Sequence, residues 1–79
     1  MLTRHGVRFR GPAFTHRTRS ALSAAGISMI DRNVPAGWGG QIVEYLVAVH
    51  ARDTDDAVLR VRKVVAEHGF YDGFAPDPS

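Results

Sequence analysis

The first periodic pattern of the sequence lies in residues 7–10, where apolar and basic side chains alternate as Val-Arg-Phe-Arg. A period of two is typical of a strand that buries one face, so we predict the first strand here. Gly11-Pro12 ends it, and apolar residues then recur at helical spacing. We expect Pro12 in the first turn of this helix, where a missing N–H has no cost, and Gly26 as its left-handed cap.

The middle of the chain contains two apolar runs, 27–34 and 42–51, joined by a Gly-rich segment. A short link of this composition predicts an antiparallel hairpin with a loop longer than the tightest turns. In the second run both alternating sets of side chains are largely apolar. We therefore predict that this strand lies in the centre of the sheet.

The clearest helical pattern follows residue 52. Asp53 or Thr54 is predicted as its N-cap, because both side chains can accept a hydrogen bond from a free N–H group of the first turn. The acidic residues at this end also place negative charge near the positive end of the helix dipole. The predicted buried stripe consists of Ala57, Val58, Val61, Val64 and Val65. Gly69 is expected to end the helix, and residues 70–74 are predicted as a short last strand. Two prolines are expected to keep residues 75–79 out of the sheet as a disordered tail.

The predicted order is strand, helix, strand, strand, helix, strand. Its simplest closed arrangement is the α+β, ferredoxin-like βαββαβ sandwich, in which two helices cover one face of a four-stranded antiparallel sheet. Residues 1–74 then form a single α/β domain. In this fold the first and third strands are central.

The sheet face that the helices leave open is the predicted functional surface. Arg8 and Arg10 are expected on it, beside some of Glu44, Leu46, Ala48 and His50. The residues expected to turn towards the helices are Val7, Phe9, Tyr45 and Val47. A partly apolar sheet face without cover is normally a contact surface.

Trp38 is the only tryptophan, and glycines surround it at positions 37, 39 and 40. It either contacts a partner or folds back over the sheet edge to enlarge a small core, and base rates for large aromatic residues favour the second. We expect it at the hairpin end rather than in the central core. The candidate binding residues are therefore Arg8, Arg10, Leu46, His50 and Trp38.

The amino-acid composition excludes several kinds of stabilising and functional site. A chain of 79 residues buries a small core, and without cysteine it forms no disulfide or thiolate metal site. The four histidines lack the spacing of a ligand pair, so no metal or cofactor is expected. Self-association is the remaining way to stabilise so small a core, and we predict a homodimer.

No apolar run has the length of a signal peptide or a membrane span, so we expect a cytoplasmic protein without membrane contact. Nine arginines against one lysine indicate a GC-rich bacterial or phage genome.

Charge is distributed unevenly along the chain. Residues 1–40 contain six arginines and one aspartate, whereas residues 41–79 contain four basic and seven acidic residues. A basic N-terminal half supports an alternative function, a nucleic-acid-binding accessory protein. The third strand has no run of basic, glycine and aromatic residues of the kind that RNA-binding sheets use for stacking. We therefore expect nucleic-acid binding to be weak and electrostatic.

One resemblance indicates an enzyme. Gly6-Val7-Arg8-Phe9-Arg10, followed by Arg32-Asn33, resembles the G-V-x-F-R … R-N pattern of acylphosphatases, which share the ferredoxin-like fold. The resemblance implies a phosphate loop at residues 6–10, with Arg10 holding the phosphate and Asn33 orienting water. The segment between these two residues is longer than in that family by about one helical turn. An acylphosphatase-like hydrolase is thus the third alternative, after a non-catalytic binding or regulatory module and a nucleic-acid-binding protein.

Overall fold

The computed structural model of the chain describes residues 1–33 and 43–77. Its elements are β1 (Thr3–Gly11), α1 (His16–Ala24), β2 (Ser28–Asn33), β3 (Val43–Ala51), α2 (Thr54–Val65) and β4 (Asp72–Asp77). The four strands form one antiparallel sheet in the order β2-β3-β1-β4. This is the α+β, ferredoxin-like arrangement, so the predicted fold class is confirmed.

The two central strands are β1 and β3, as predicted. They pair over nine residues each, from Thr3 opposite Ala51 to Gly11 opposite Val43. The helix-covered side of this pair forms the core together with Leu22 of α1 and Val61 of α2. The four residues predicted to turn towards the helices are all buried there: Val7, Phe9, Tyr45 and Val47.

An aromatic cluster closes one end of the core. The rings of Phe14 and Tyr45 are stacked with their centroids 3.9 Å apart, and Phe9 packs against both. The Tyr45 hydroxyl donates a hydrogen bond to the carbonyl oxygen of Pro12 and accepts one from the backbone N–H of Phe14, each at 3.1 Å. One side chain of β3 therefore fixes the connection between β1 and α1.

The start of α1 differs from the prediction. The helix begins at His16, and the Thr15 hydroxyl caps it by accepting a hydrogen bond from the Thr18 N–H. Pro12 lies in the preceding connection, where its carbonyl binds Tyr45. The prediction of Pro12 in the first turn is wrong, because the cap lies three residues further along the chain, at Thr15, whose hydroxyl accepts the hydrogen bond from the Thr18 N–H.

The end of α1 agrees with the prediction. Gly26 has a φ of 75°, the left-handed conformation that favours glycine. Its N–H donates to the carbonyl of Ser23, and the N–H of Ile27 donates to the carbonyl of Leu22. These two bonds form a Schellman motif, which satisfies the last carbonyl groups of the helix.

Helix α2 has Asp53 as its N-cap, one of the two residues predicted for that position. Of its predicted stripe, Ala57, Val61 and Val65 are buried and the other two valines are half-buried. The helix ends at Val65, not at Gly69. The N–H of His68 turns back to the carbonyl of Val65 at 2.9 Å, so the chain leaves the helix in a tight turn.

The last strand differs most from the prediction. β4 runs from Asp72 to Asp77 instead of 70–74, and Pro76 lies opposite Val7 within the ladder. The expected tail at 75–79 is therefore wrong for residues 75–77. Because β4 is an edge strand, a proline can join it with its nitrogen on the side that has no neighbour.

The predicted bounds of the middle strands, 27–34 and 42–51, are close to those of β2 and β3. The segment predicted to join them lies outside the described residues, and so does Trp38. Neither helix in the described ranges has the length and apolar character that crossing a bilayer requires.

Candidate functional site: the open face of the sheet

The face of the sheet opposite the helices is built around the arginines of β1. Because side chains alternate along a strand, burial of Val7 and Phe9 against the helices directs Arg8 and Arg10 to the open side. Both arginine side chains are 57% exposed. Arg4 and Gly6 continue the same row towards the start of the strand. Arg8 and Arg10 therefore lie on the open face, as the alternation of residues 7–10 predicts.

β3 supplies the neighbouring row. The register places Leu46 opposite Arg8 and His50 opposite Arg4. Leu46 is half-buried and His50 is exposed. Between them, Ala48 lies opposite Gly6, so the two smallest residues that the central strands contribute to this face are adjacent.

β2 adds an apolar side chain to this face, next to a β-bulge. Met29 lies opposite Val47 and Asp31 lies opposite Leu46, which leaves Ile30 as the extra residue between them. Ile30 borders the same depression as Leu46 and Ala48, and it is 48% exposed. Met29 lies opposite the buried Val47 on the helix side, so alternation directs Ile30 to the open face, and the bulge follows it.

β4 supplies carboxylates to the arginine row. The Arg8 Nε donates to Asp77 Oδ1 at 3.2 Å, and the Arg10 Nε donates to Asp72 Oδ1 at 3.0 Å. A second bulge, at which Gly73 adopts a φ of 69°, places Asp72 beside Arg10. These pairs join the basic start of the sequence to its acidic end, so the charge asymmetry of the sequence is offset in space on this face.

The small residues form a trough across the sheet. Its floor is Gly6 and Ala48, and its volume is about 480 Å³. Leu46 and Ile30 rise on one side, and Arg4 lines the other. A Cβ atom at Gly6 would lie 3.0 Å from the Cβ of Asp77, so only glycine fits there without displacing that carboxylate. The surface thus has an apolar ridge directly beside a trough.

The predicted site residues are brought together only in part. Arg8, Arg10 and Leu46 line one shallow depression of about 200 Å³, together with Glu44. His50 lies on the same face, at the opposite end of β3 from Glu44. Trp38 lies outside the described residues.

Sequence reasoning did not place several residues of this face: Arg4, Gly6, Ile30, Asp72 and Asp77. Asp77 was assigned to the tail when the last strand was predicted to end at residue 74, and Asp72 was placed in that strand without a partner. Ile30 follows from alternation within β2, where Met29 faces the helices and Ile30 faces the open side, so it could have been found once the register of this strand was known. Arg4 and Gly6 continue the alternation of residues 7–10 and could have been found by extending it.

The phosphate loop implied by the resemblance to acylphosphatases is not formed at residues 6–10. These residues lie inside β1, paired with β3 along their whole length. Their backbone therefore adopts an extended strand instead of a loop that surrounds an anion. The Arg10 guanidinium bonds to the carboxylate of Asp72.

Other chemistry is sparse in the described ranges. They contain no group of three or more histidine, aspartate or glutamate side chains arranged to hold a metal ion. The pKa of Tyr71 is raised, mainly because burial disfavours the phenolate. The pKa of Asp56 is lowered, mainly by the hydrogen bond from the Arg52 N–H and then by the one from Arg60. Tyr71 belongs to the core and Asp56 to the start of α2, so neither lies on the open face.

Comparison of the sequence with models of known protein families and with curated proteins finds no match. Function is therefore inferred from the geometry of the open face.

Proposed function

We propose that this protein is a small, non-catalytic binding or regulatory module that contacts a protein through the open face of its sheet. The observation that carries the proposal is the apolar ridge of the exposed Ile30 and the half-buried Leu46 beside the trough over Gly6 and Ala48. Neither described helix packs on this side. An apolar sheet surface framed by polar side chains is the usual form of a protein contact.

The charges around the ridge favour a protein over a nucleic acid. Three arginines are accompanied by three carboxylates among the described side chains of this face: Arg4, Arg8, Arg10, Glu44, Asp72 and Asp77. A phosphate backbone carries only negative charge and would meet these carboxylates at close range. A protein surface, which carries both signs, can match them.

A capture experiment with three forms of the protein tests the proposal. Wild type, Ile30→Asp and Leu59→Asp are immobilised and exposed to soluble extract of the organism that encodes the chain, mixed with the purified, labelled chain itself. Ile30 and Leu59 are both 48% exposed, and Leu59 lies on α2, away from the open face. The two variants therefore make the same change of charge at equally exposed positions.

We expect a specific protein, the labelled chain or another, to be retained by wild type and Leu59→Asp and lost from Ile30→Asp. Equal retention by all three forms would show that the open face is not the contact surface. Melting curves of the variants establish that each is folded.

A further inference from the structure

We infer that the partner of the open face is a second copy of this chain, packed face to face about a two-fold axis that runs across the strands. This inference rests on the function proposed above, and it names the occupant of the same surface. Shape and area support it, and charge supports it in part.

The shape of the face is self-complementary. The row of Leu46 and the row of Ala48 are neighbours, about 6 to 7 Å apart along the strand. A two-fold axis midway between the rows places the ridge of each copy over the trough of the other. Leu46 of one copy then lies on Ala48 of its partner, and Ile30 lies over Ser28, which is opposite Ala48 in β2. In a symmetric dimer each such contact occurs twice.

The charge pattern is self-complementary in part, because the axis that brings Arg8 near Asp77 also places Arg10, which is paired with Asp72, over Arg4 of the other copy. The same axis places the Arg8 side chain of one copy over Gly6 of the other, next to Asp77. Arg8 uses its Nε for the Asp77 of its own chain. A guanidinium group has five N–H donors, so its terminal nitrogens can also bind a carboxylate across the interface.

The area is sufficient for a specific dimer. Four strands about 4.8 Å apart, paired over up to nine residues of about 3.3 Å each, give a face of about 500 Å² per copy. Two copies bury about 1,000 Å², which is near the lower bound for a specific interface. We therefore expect a reversible dimer rather than an obligate one.

Light scattering and sedimentation of the purified chain at a series of concentrations test the inference. We expect wild type and Leu59→Asp to reach the mass of a dimer. Ile30→Asp should raise the dimer dissociation constant by about 100-fold or more, because symmetry puts two new carboxylates into one interface. Ala48→Leu, which fills the trough without adding charge, should weaken the dimer in the same way.

The outcomes separate the two proposals. A wild-type chain that stays monomeric to millimolar concentration overturns the inference, while selective capture of a different protein in the preceding experiment would still support the proposed function. A dimer that Leu59→Asp disrupts and both open-face variants leave intact overturns both proposals. Folding of every variant is checked by thermal melting, and Ala48→Leu decides the matter if Ile30→Asp is unfolded.

Discussion

The hydroxyl of Tyr45 makes two hydrogen bonds to the backbone of one connection. It bonds to the carbonyl of Pro12 and to the N–H of Phe14 in the connection between β1 and α1. Tyr45→Phe keeps the stacked ring and removes both hydrogen bonds. We expect a loss of about 1 to 2 kcal/mol in the free energy of unfolding, since two partly buried backbone groups lose their partner. Urea denaturation measures this loss.

Tyr71→Phe is the matched control for that change. Tyr71 packs in the same aromatic cluster, and its hydroxyl has no hydrogen-bond partner among the described residues. We expect its removal to change stability by less than about 0.5 kcal/mol. If the two variants lose equal stability, the hydrogen bonds of Tyr45 do not hold the connection.

Asp56 makes the stability of the protein sensitive to acid. The Arg52 N–H and the Arg60 guanidinium stabilise its carboxylate and hold its pKa below the ordinary value of 3.8. A lowered folded-state pKa contributes stability that is present above that ordinary value and is lost as the pH falls through the folded-state pKa. Asp56→Asn should therefore melt below wild type at neutral pH.

The difference in melting temperature between wild type and Asp56→Asn is expected to shrink as the pH falls from about 6 to below about 3. Thermal melts across this range measure it. A difference that stays constant over the whole range would show that the ionised carboxylate is not the stabilising form.

Among the elements, α2 depends most clearly on its cap. The Asp53 carboxylate accepts a hydrogen bond from the Asp56 N–H at 2.8 Å. Asp53→Ala should destabilise the protein by about 1 kcal/mol, whereas Asp53→Asn should retain most of the stability because asparagine caps helices as well as aspartate does. Urea midpoints of the two variants make the comparison. Equal losses would mean that the charge of Asp53, and not its capping hydrogen bond, stabilises α2.

The elements that could be predicted from the sequence are those with a local cause. The alternation in residues 7–10, the aspartate cap of α2 and the apolar character of both faces of β3 each determine backbone geometry within a few residues. They were sufficient to give the order of elements and the ferredoxin-like fold. The same alternation correctly separated the open-face arginines from the core of β1.

The elements that were misplaced depend on distant residues. Pro12 suits a helix start locally, but its carbonyl is held by Tyr45, 33 residues away. Pro76 suits a tail locally, but it lies at the edge of a sheet whose neighbouring strand is β1. The bulge after Ile30 in β2 depends on pairing with β3. Such contacts leave no local pattern, which is why the start of α1 and the extent of β4, with Asp77, were misplaced.

At the scale of the whole molecule, folding redistributes the charge that the sequence separates. Arg8 and Arg10 come from the basic half of the chain, and Asp72 and Asp77 from the acidic half. The sheet order places β1 beside β4, so the two halves meet as ion pairs. The basic half therefore does not form a surface of one sign on the open face.

This arrangement predicts how the protein responds to nucleic acid. Wild type should bind a short duplex or single strand only weakly, with a dissociation constant of about 10⁻⁴ to 10⁻⁶ M that weakens steeply with salt. Asp72→Asn removes the carboxylate beside Arg10 and should tighten binding severalfold at low salt. Asp55→Asn makes the same change of charge on α2, and we expect it to have a smaller effect because it leaves Arg10 paired. Fluorescence anisotropy at two salt concentrations distinguishes these cases. Equal tightening by both variants would mean that net charge alone governs the binding, whereas tight wild-type binding at physiological salt would show that the open face is a nucleic-acid surface after all.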